Sequence, residues 1–191
     1  MLQSEQEIIR LCRKNDTKAQ AALFGKYSGA MMGICLRYSK NKEDARDLLH
    51  EGFIKVFGSI ARFKGESDIK TWMSAVFVNT AISYIRKHFG RTFYMGEDFP
   101  ETRQQETEEE DELQHFLFND LSQNDVLEMV QNLPEKYRVV VNLYCIDGFT
   151  HKEISAMLNI SEGTSKAQLS RARKLLATML IKKKVIYEKA S

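Results

Sequence analysis

Between Phe149 and Leu176 the chain reads FTHKEISAMLNISEGTSKAQLSRARKLL, a stretch that admits two short helices and a tight turn and little else. Thr150 followed by Glu153 spells a capping box, in which each side chain satisfies an orphan backbone N–H at a helix start. Ile154 and Leu158 then fall on one side of a helix that runs through Leu158. The segment Asn159-Ile160-Ser161 turns the chain, and Ser161 caps a second helix. At 100° per residue Ser165, Leu169, Ala172 and Leu176 share one face of that helix, while Lys166, Ala167, Ser170, Arg171 and Lys174 share the opposite one. The basic side is therefore the exposed side. A second helix presenting small and cationic side chains fits a DNA major groove, where short residues allow close approach and Lys or Arg reach base edges and phosphates. The competing reading is a merely solvated basic helix.

The rest of the chain carries the same local preference. Its 191 residues include only two prolines and ten glycines, and helix formers dominate, so the expected fold is all-α. Ser4 with Glu7 reads as a capping box, Asn41 with Asp44 as a helix start, and Ser67 or Asp68 as another. These signals predict four helices near 5–14, 17–39, 42–62 and 68–89, followed by a stop at Gly90. Residues 91–121 contain GEDFPETRQQETEEEDE and read as an acidic flexible linker. A second lobe, 122–191, opens at Ser122; Pro134 suits a first helical turn and Gly148 a left-handed stop after a helix through Ile146.

Net charge conceals a partition that bears on partners. Residues 1–92 carry 16 basic and 9 acidic side chains, 93–149 carry 3 and 14, and 150–191 carry 9 and 3. Two basic lobes around an acidic connector suggest two polyanion-facing surfaces. The acidic tract itself is expected to be extended or folded back on the basic lobes.

Several classes are disfavoured. Cys12, Cys35 and Cys145 are odd in number, widely spaced and set among helical apolar residues, which suits free thiols in a reducing, cytoplasmic compartment. No apolar run is long enough for a bilayer, so no membrane insertion is expected. His50, His88, His115 and His151 show no zinc-ligand spacing, no phosphate-binding glycine loop precedes a helix, and no serine sits in a nucleophile elbow. The expectation is a protein that is not an enzyme, with no catalytic residue, metal or cofactor. Glu108 to Glu112 are consecutive, share no helical face, and read as solvated.

In the helix beginning at Lys42, Ala45, Leu48, Leu49, Gly52, Phe53, Val56 and Ile60 form a core stripe. Asp47, His50, Glu51 and Ile54 form a second stripe on the far side, where an isoleucine among polar residues hints at a partner surface.

These segments together resemble one family. LPEKYRVVVNLYCIDGFTHKEISAMLNISEGTSKAQLSRARKLL is similar to region 4 of the bacterial σ70-type RNA polymerase sigma factors, in particular the extracytoplasmic-function (ECF) group. DARDLLHEGFIKVF and FKGESDIKTWMSAVFVNTAISYIRK resemble region 2 in order and spacing. The resemblance implies a transcription initiation factor that binds core RNA polymerase, through the β′ coiled coil and the β flap, and promoter DNA. It leaves an anti-sigma factor open as a further partner. It places Lys152, Thr164, Lys166, Ala167, Ser170, Arg171, Arg173 and Lys174 at the upstream (−35) element, and Asp47, His50, Glu51 and Ile54 on the polymerase. Lys64, Ile69, Trp72, Asn79, Ser83 and Arg86 fall at the downstream (−10) element, where region 2 captures a base of the non-template strand. The chain has Ile69 where many members place an aromatic, and Trp72 reads as either a core residue or a strand-separating wedge. Gly52 departs from many ECF members, though the housekeeping members carry Gln-Glu-Gly there. The rival readings are a helical protein-interaction module using its basic faces on acidic proteins, or a helix-turn-helix regulator outside the sigma factors.

Overall fold

The computed structural model describes residues 4–89 and 122–190, and the linker expected over 91–121 lies outside them. Among the described residues every regular element is helical and none is a strand. The chain divides into two compact units, residues 1–88 and 89–191.

The first unit contains α1 (Glu5–Cys12), α2 (Thr17–Tyr38), α3 (Lys42–Ser59), a single 3-10 turn (Ile60–Arg62) and α4 (Ile69–Phe89). Its helix starts are local chemistry. The Glu7 N–H donates to Ser4 Oγ at 3.3 Å, the Ala19 N–H to Asp16 Oδ1 at 2.9 Å, and the Asp44 N–H to Asn41 Oδ1 at 2.8 Å. Asp68, not Ser67, caps α4, accepting from both the N–H and the hydroxyl of Thr71 at 2.8 and 2.7 Å. Each such cap satisfies a donor that the helix leaves orphaned. The capping box expected at Ser4 forms only in half. Glu7 takes a bidentate bond from the Arg10 guanidinium at 2.6 and 2.8 Å instead of reaching back to Ser4, because a charge-assisted fork outcompetes one neutral N–H.

Heptad-like spacing on each helix supplies the core. Leu23, Tyr27, Met31, Ile34, Cys35 and Tyr38 of α2 face Ala45, Leu48, Leu49, Phe53 and Val56 of α3, with Ile69, Met73, Phe77, Ala81 and Ile85 of α4, all buried. Each large apolar side chain removed from water in this way contributes about 1.5–3 kcal/mol. Gly52 lies within this core stripe. A Cβ there would stand 2.3 Å from the Phe77 ring, so the glycine lets α4 seat its phenylalanine against the α3 backbone.

In the second unit, α5 (Gln123–Gln131), α6 (Glu135–Val141), α7 (His151–Leu158) and α8 (Glu162–Ala190) follow in order, with a π-helical turn, Asn142–Ile146, continuing α6. Ser122 caps α5 in a reciprocal box with Asp125. Pro134 sits at the cap of α6, one residue before the first helical position. Val139, Val140, Val141 and Leu143 are buried with Ile154 and Leu158 of α7 and Leu169, Ala172, Leu176 and Leu180 of α8. Arg138 is buried among them and joins α6 to the end of α5, donating Nη1–H to the Gln131 carbonyl at 3.0 Å. Gly148 (φ +76°) takes the left-handed conformation that ends the π-helical segment, and the Phe149 N–H closes the exit on the Leu143 carbonyl at 2.9 Å.

Candidate nucleic-acid interface

The helix-turn-helix is built as its sequence dictates. Thr150 and Glu153 form the complete capping box: the Glu153 N–H donates to Thr150 Oγ1 at 3.3 Å, and the Thr150 N–H and hydroxyl donate to Glu153 Oε2, each at 2.8 Å. These bonds, with the backbone donor the strongest influence, hold the Glu153 carboxyl below its ordinary range. Asn159 (φ 56°) caps α7 in the left-handed conformation, the Ile160 N–H reaches the Ser155 carbonyl at 3.1 Å, and Ser161 Oγ accepts the Thr164 N–H at 2.9 Å to open α8.

Along α8 the two faces separate. Ser165, Leu169, Ala172 and Leu176 are buried, while Lys166 and Lys174 are exposed. Ala167, Ser170, Arg171 and Arg173 are half-buried. With 100° per residue, Lys166, Ser170 and Lys174 make one outward row, and Arg171 and Arg173 border it on opposite sides. Arg171 thus belongs to the border of the outward face rather than to its centre. Thr164 is half-buried, and its hydroxyl lies 2.9 Å from Ser161 Oγ within the cap. Lys152 is exposed in the first turn of α7. The arrangement sets cations before, after and beside the small residues Ala167 and Ser170, as phosphate contacts around a base-reading strip require.

One contact fixing this unit is absent from the sequence reading. His151 stacks on Tyr144 of the π-helical turn, with centroids 4.5 Å apart and planes 19° from parallel, and its Nδ1 lies 2.9 Å from Ser165 Oγ. Ser165 has no exposed surface, and its hydroxyl is satisfied across the turn by the histidine. A serine on a predicted core face is itself the signal that such a partner is needed.

In the first unit, Asn79, Ser83 and Arg86 are exposed, and with half-buried Trp72 they follow one line along α4 at offsets of seven, four and three residues. Ser83 turns its hydroxyl onto the Asn79 carbonyl at 2.8 Å. Trp72 packs against the Phe63 ring at 5.4 Å, with the ring only partly covered. Lys64 stands on the loop before α4, exposed and 3.9 Å from Glu66. Ile69, at 2% exposure, is buried and stacks in one row with Met73 and Phe77 by four-residue spacing.

The second stripe of α3 is exposed as expected. Ile54 keeps 70% of its surface in solvent, Asp47 and His50 are exposed, and half-buried Glu51 pairs with Lys55 at 2.8 Å. Ile54 is the one apolar member of this otherwise polar stripe.

The thiols are free in this structure. Burial pushes Cys35 up to about 12, and it also raises Cys12 and Cys145. Among the described residues no three His, Cys, Asp or Glu side chains are grouped to hold a metal ion, and no helix is long and apolar enough to cross a membrane.

Comparison with known proteins adds three findings. Residues 23–89 match the family model for Sigma-70 region 2, and residues 123–176 match that for Sigma-70, region 4. The ECF RNA polymerase sigma-E factor of Haemophilus influenzae is 27% identical over 182 residues, covering 91% of this chain and 93% of that protein. Its namesake from Escherichia coli K12 is 26% identical over 177 residues, covering 91% and 92%. Among solved structures, the sigma factor RpoE bound to the anti-sigma factor NepR from Bartonella quintana aligns with a TM-score of 0.48 and 21% identity, over 84% of this chain and 95% of that one.

Proposed function

Since the chain belongs to the σ70 family of RNA polymerase sigma factors, in its extracytoplasmic-function group, we propose that its exposed stripes divide the work of promoter recognition between the two units. The protein is a transcription initiation factor, and RNA polymerase performs the chemistry. The second unit takes the −35 element with Arg171 at a base edge, Ala167 and Ser170 allowing close approach to the groove, and Lys152, Thr164, Lys166, Arg173 and Lys174 on the flanking backbone. The first unit takes the −10 element with Trp72, Asn79, Ser83 and Arg86 of α4 and Lys64 of the preceding loop. The Asn79 amide offers both donors and acceptors to a base edge, and the two cations face phosphates. Asp47, His50, Glu51 and Ile54 of α3 dock the β′ coiled coil of core polymerase, and the second unit meets the β flap. The protein works in the cytoplasm, and an anti-sigma factor is a candidate further partner.

The observation that carries this reading is the separation of faces on α8: Ser165 and its apolar neighbours are buried while Lys166 and Lys174, on the same helix, are exposed. Run-off transcription with core polymerase on a pool of genomic promoters tests it. Discrete transcripts that depend on the chain are expected, and their loss on reversing Lys166 and Lys174 to Glu. Transcripts indifferent to both residues overturn the −35 assignment.

A further inference from the structure

The loop that precedes α4 is held from an unexpected quarter. The 3-10 turn ends at Phe63, whose N–H closes on the Ile60 carbonyl at 3.2 Å and whose backbone then becomes extended (φ −65°, ψ 115°). Its carbonyl thereby leaves the helical pattern and needs a donor. Arg13 supplies it: Nη2–H donates to the Phe63 carbonyl at 2.6 Å, across 50 residues of sequence. The Phe63 ring, itself buried, packs on Trp72 at 5.4 Å. One residue further, Lys64 is exposed, and Gly65 (φ +80°) begins the turn toward the Asp68 cap.

Arg13 is in turn fixed. It is the C-terminal cap of α1, with its own N–H on the Ile9 carbonyl at 3.1 Å. At the other end of α1, Glu5 accepts from both Lys26 and Tyr27 of α2, which anchors the short helix at its start. Asn15, in the left-handed conformation (φ 59°), returns the chain directly into α2. Helix α1 and Arg13 precede residue 23, where the region 2 match begins.

We propose that Arg13 is a positioning residue for strand capture: by gripping the Phe63 carbonyl it sets the root of the loop and so the placement of Lys64 and Trp72 against single-stranded DNA. This rests on the reading of α4 and its preceding loop as the −10 surface. A charge-assisted bond to a carbonyl is short and directional, so it fixes the loop root more tightly than ring packing alone. Trp72 and Lys64 are then presented together, one as a stacking plane and one as a phosphate cation.

The test uses holoenzyme reconstituted from the full chain and core polymerase, on a promoter that the wild-type holoenzyme opens. The probe is a single-stranded oligonucleotide carrying the non-template −10 sequence of that promoter, with a −35 duplex fragment as the control. Arg13→Ala is expected to weaken oligonucleotide binding about tenfold, leaving core affinity and −35 duplex binding within twofold of wild type. Arg13→Lys, which keeps a charged donor, is expected to recover binding to within about threefold. The plot of log affinity against log salt for Arg13→Ala should run parallel to that of wild type. A slope shallower by about 0.7 identifies a direct phosphate contact and overturns the positioning role. Equal oligonucleotide binding by wild type and Arg13→Ala overturns the proposal alone. Absence of oligonucleotide binding by wild type overturns the −10 reading with it. If Arg13→Ala unfolds, Arg13→Lys decides, since loss of −35 binding in step with −10 binding makes the residue merely structural.

Discussion

Gly52 and Phe77 meet backbone to ring, at a separation where a Cβ on Gly52 would lie 2.3 Å from the phenylalanine Cε1. Phe77 has no exposed surface and its ring also packs edge-on to Phe53 at 5.4 Å, so it has nowhere to swing. Alanine at 52 gains about 1 kcal/mol in helix propensity. Overpacking a filled core costs about 1–3 kcal/mol, and more where a buried ring must be displaced. Gly52→Ala is therefore expected to lower stability, by about 1–2 kcal/mol net in chemical denaturation. Combining it with Phe77→Leu should cost less than the sum of the two single changes, because the smaller side chain vacates the contested space. An additive pair, or a stabilised Gly52→Ala, contradicts this account.

The capping box at the start of α7 makes a pH prediction. Bonds from Thr150 hold the Glu153 carboxyl below its ordinary value. A carboxylate with a depressed folded pKa stabilises the fold fully above its unfolded value, and that contribution is lost as pH falls through the folded one. Amide exchange at Glu153 and Thr150 should accelerate on acidification across this window, beyond the intrinsic pH dependence of exchange. In Glu153→Gln, which keeps an acceptor but no titrating group, the corrected profile should be flat. Thr150→Ala, losing the side-chain acceptor, should cost about 1 kcal/mol at neutral pH.

What the sequence discloses here follows the range over which each determinant acts. Caps at Ser4, Asn41, Ser122, Thr150 and Ser161 lie three residues from the donors they satisfy, so a local pattern suffices to find them. The buried and exposed faces of α3 and α8 follow from periodicity, and Ile54 and Lys166 fall where that predicts. Glu7 defeats the pattern because two partners, the Ser4 N–H and Arg10, stand within equal reach and only energetics chooses. The burial of Ile69 is legible in its four-residue register with Met73 and Phe77, and not in its position in a motif, which says nothing of burial. The steric need for Gly52, and the Arg13 bond to Phe63, depend on partners 25 and 50 residues away. No local signal carries them.

The outward stripe of α3 separates polymerase docking from folding. Asp47 and Ile54 project away from the buried row of Ala45, Leu48, Leu49, Phe53 and Val56, and the Glu51 pair with Lys55 is solvent-accessible. Exposed pairs of this kind contribute at most about 1 kcal/mol. A variant carrying Asp47→Lys, Glu51→Lys and Ile54→Ser should keep its helicity by circular dichroism and lose assembly with core polymerase in a pull-down. A folded variant that still assembles would show this stripe to be ordinary surface.

On α8 the position of each cation relative to the outward row predicts a different thermodynamic signature. Lys166 is exposed and Arg171 half-buried at the border of the row. A lysine that serves a phosphate weakens binding to all sequences alike and lowers the salt slope by about 1 when removed. An arginine that reaches a base edge costs about 1–3 kcal/mol when truncated and relaxes preference at one base pair. Arg171→Ala is therefore expected to weaken holoenzyme binding to the −35 duplex by that amount, and Lys166→Ala to weaken it less. The salt titration distinguishes the roles: if Arg171 only faces the backbone, Arg171→Ala will bind cognate and base-substituted −35 duplexes with unchanged discrimination and a shallower slope. If it reads a base and touches no phosphate, the slope will stay close to that of wild type, and a single substituted position will stop mattering. Unchanged affinity and unchanged preference in Arg171→Ala would remove the residue from the interface altogether.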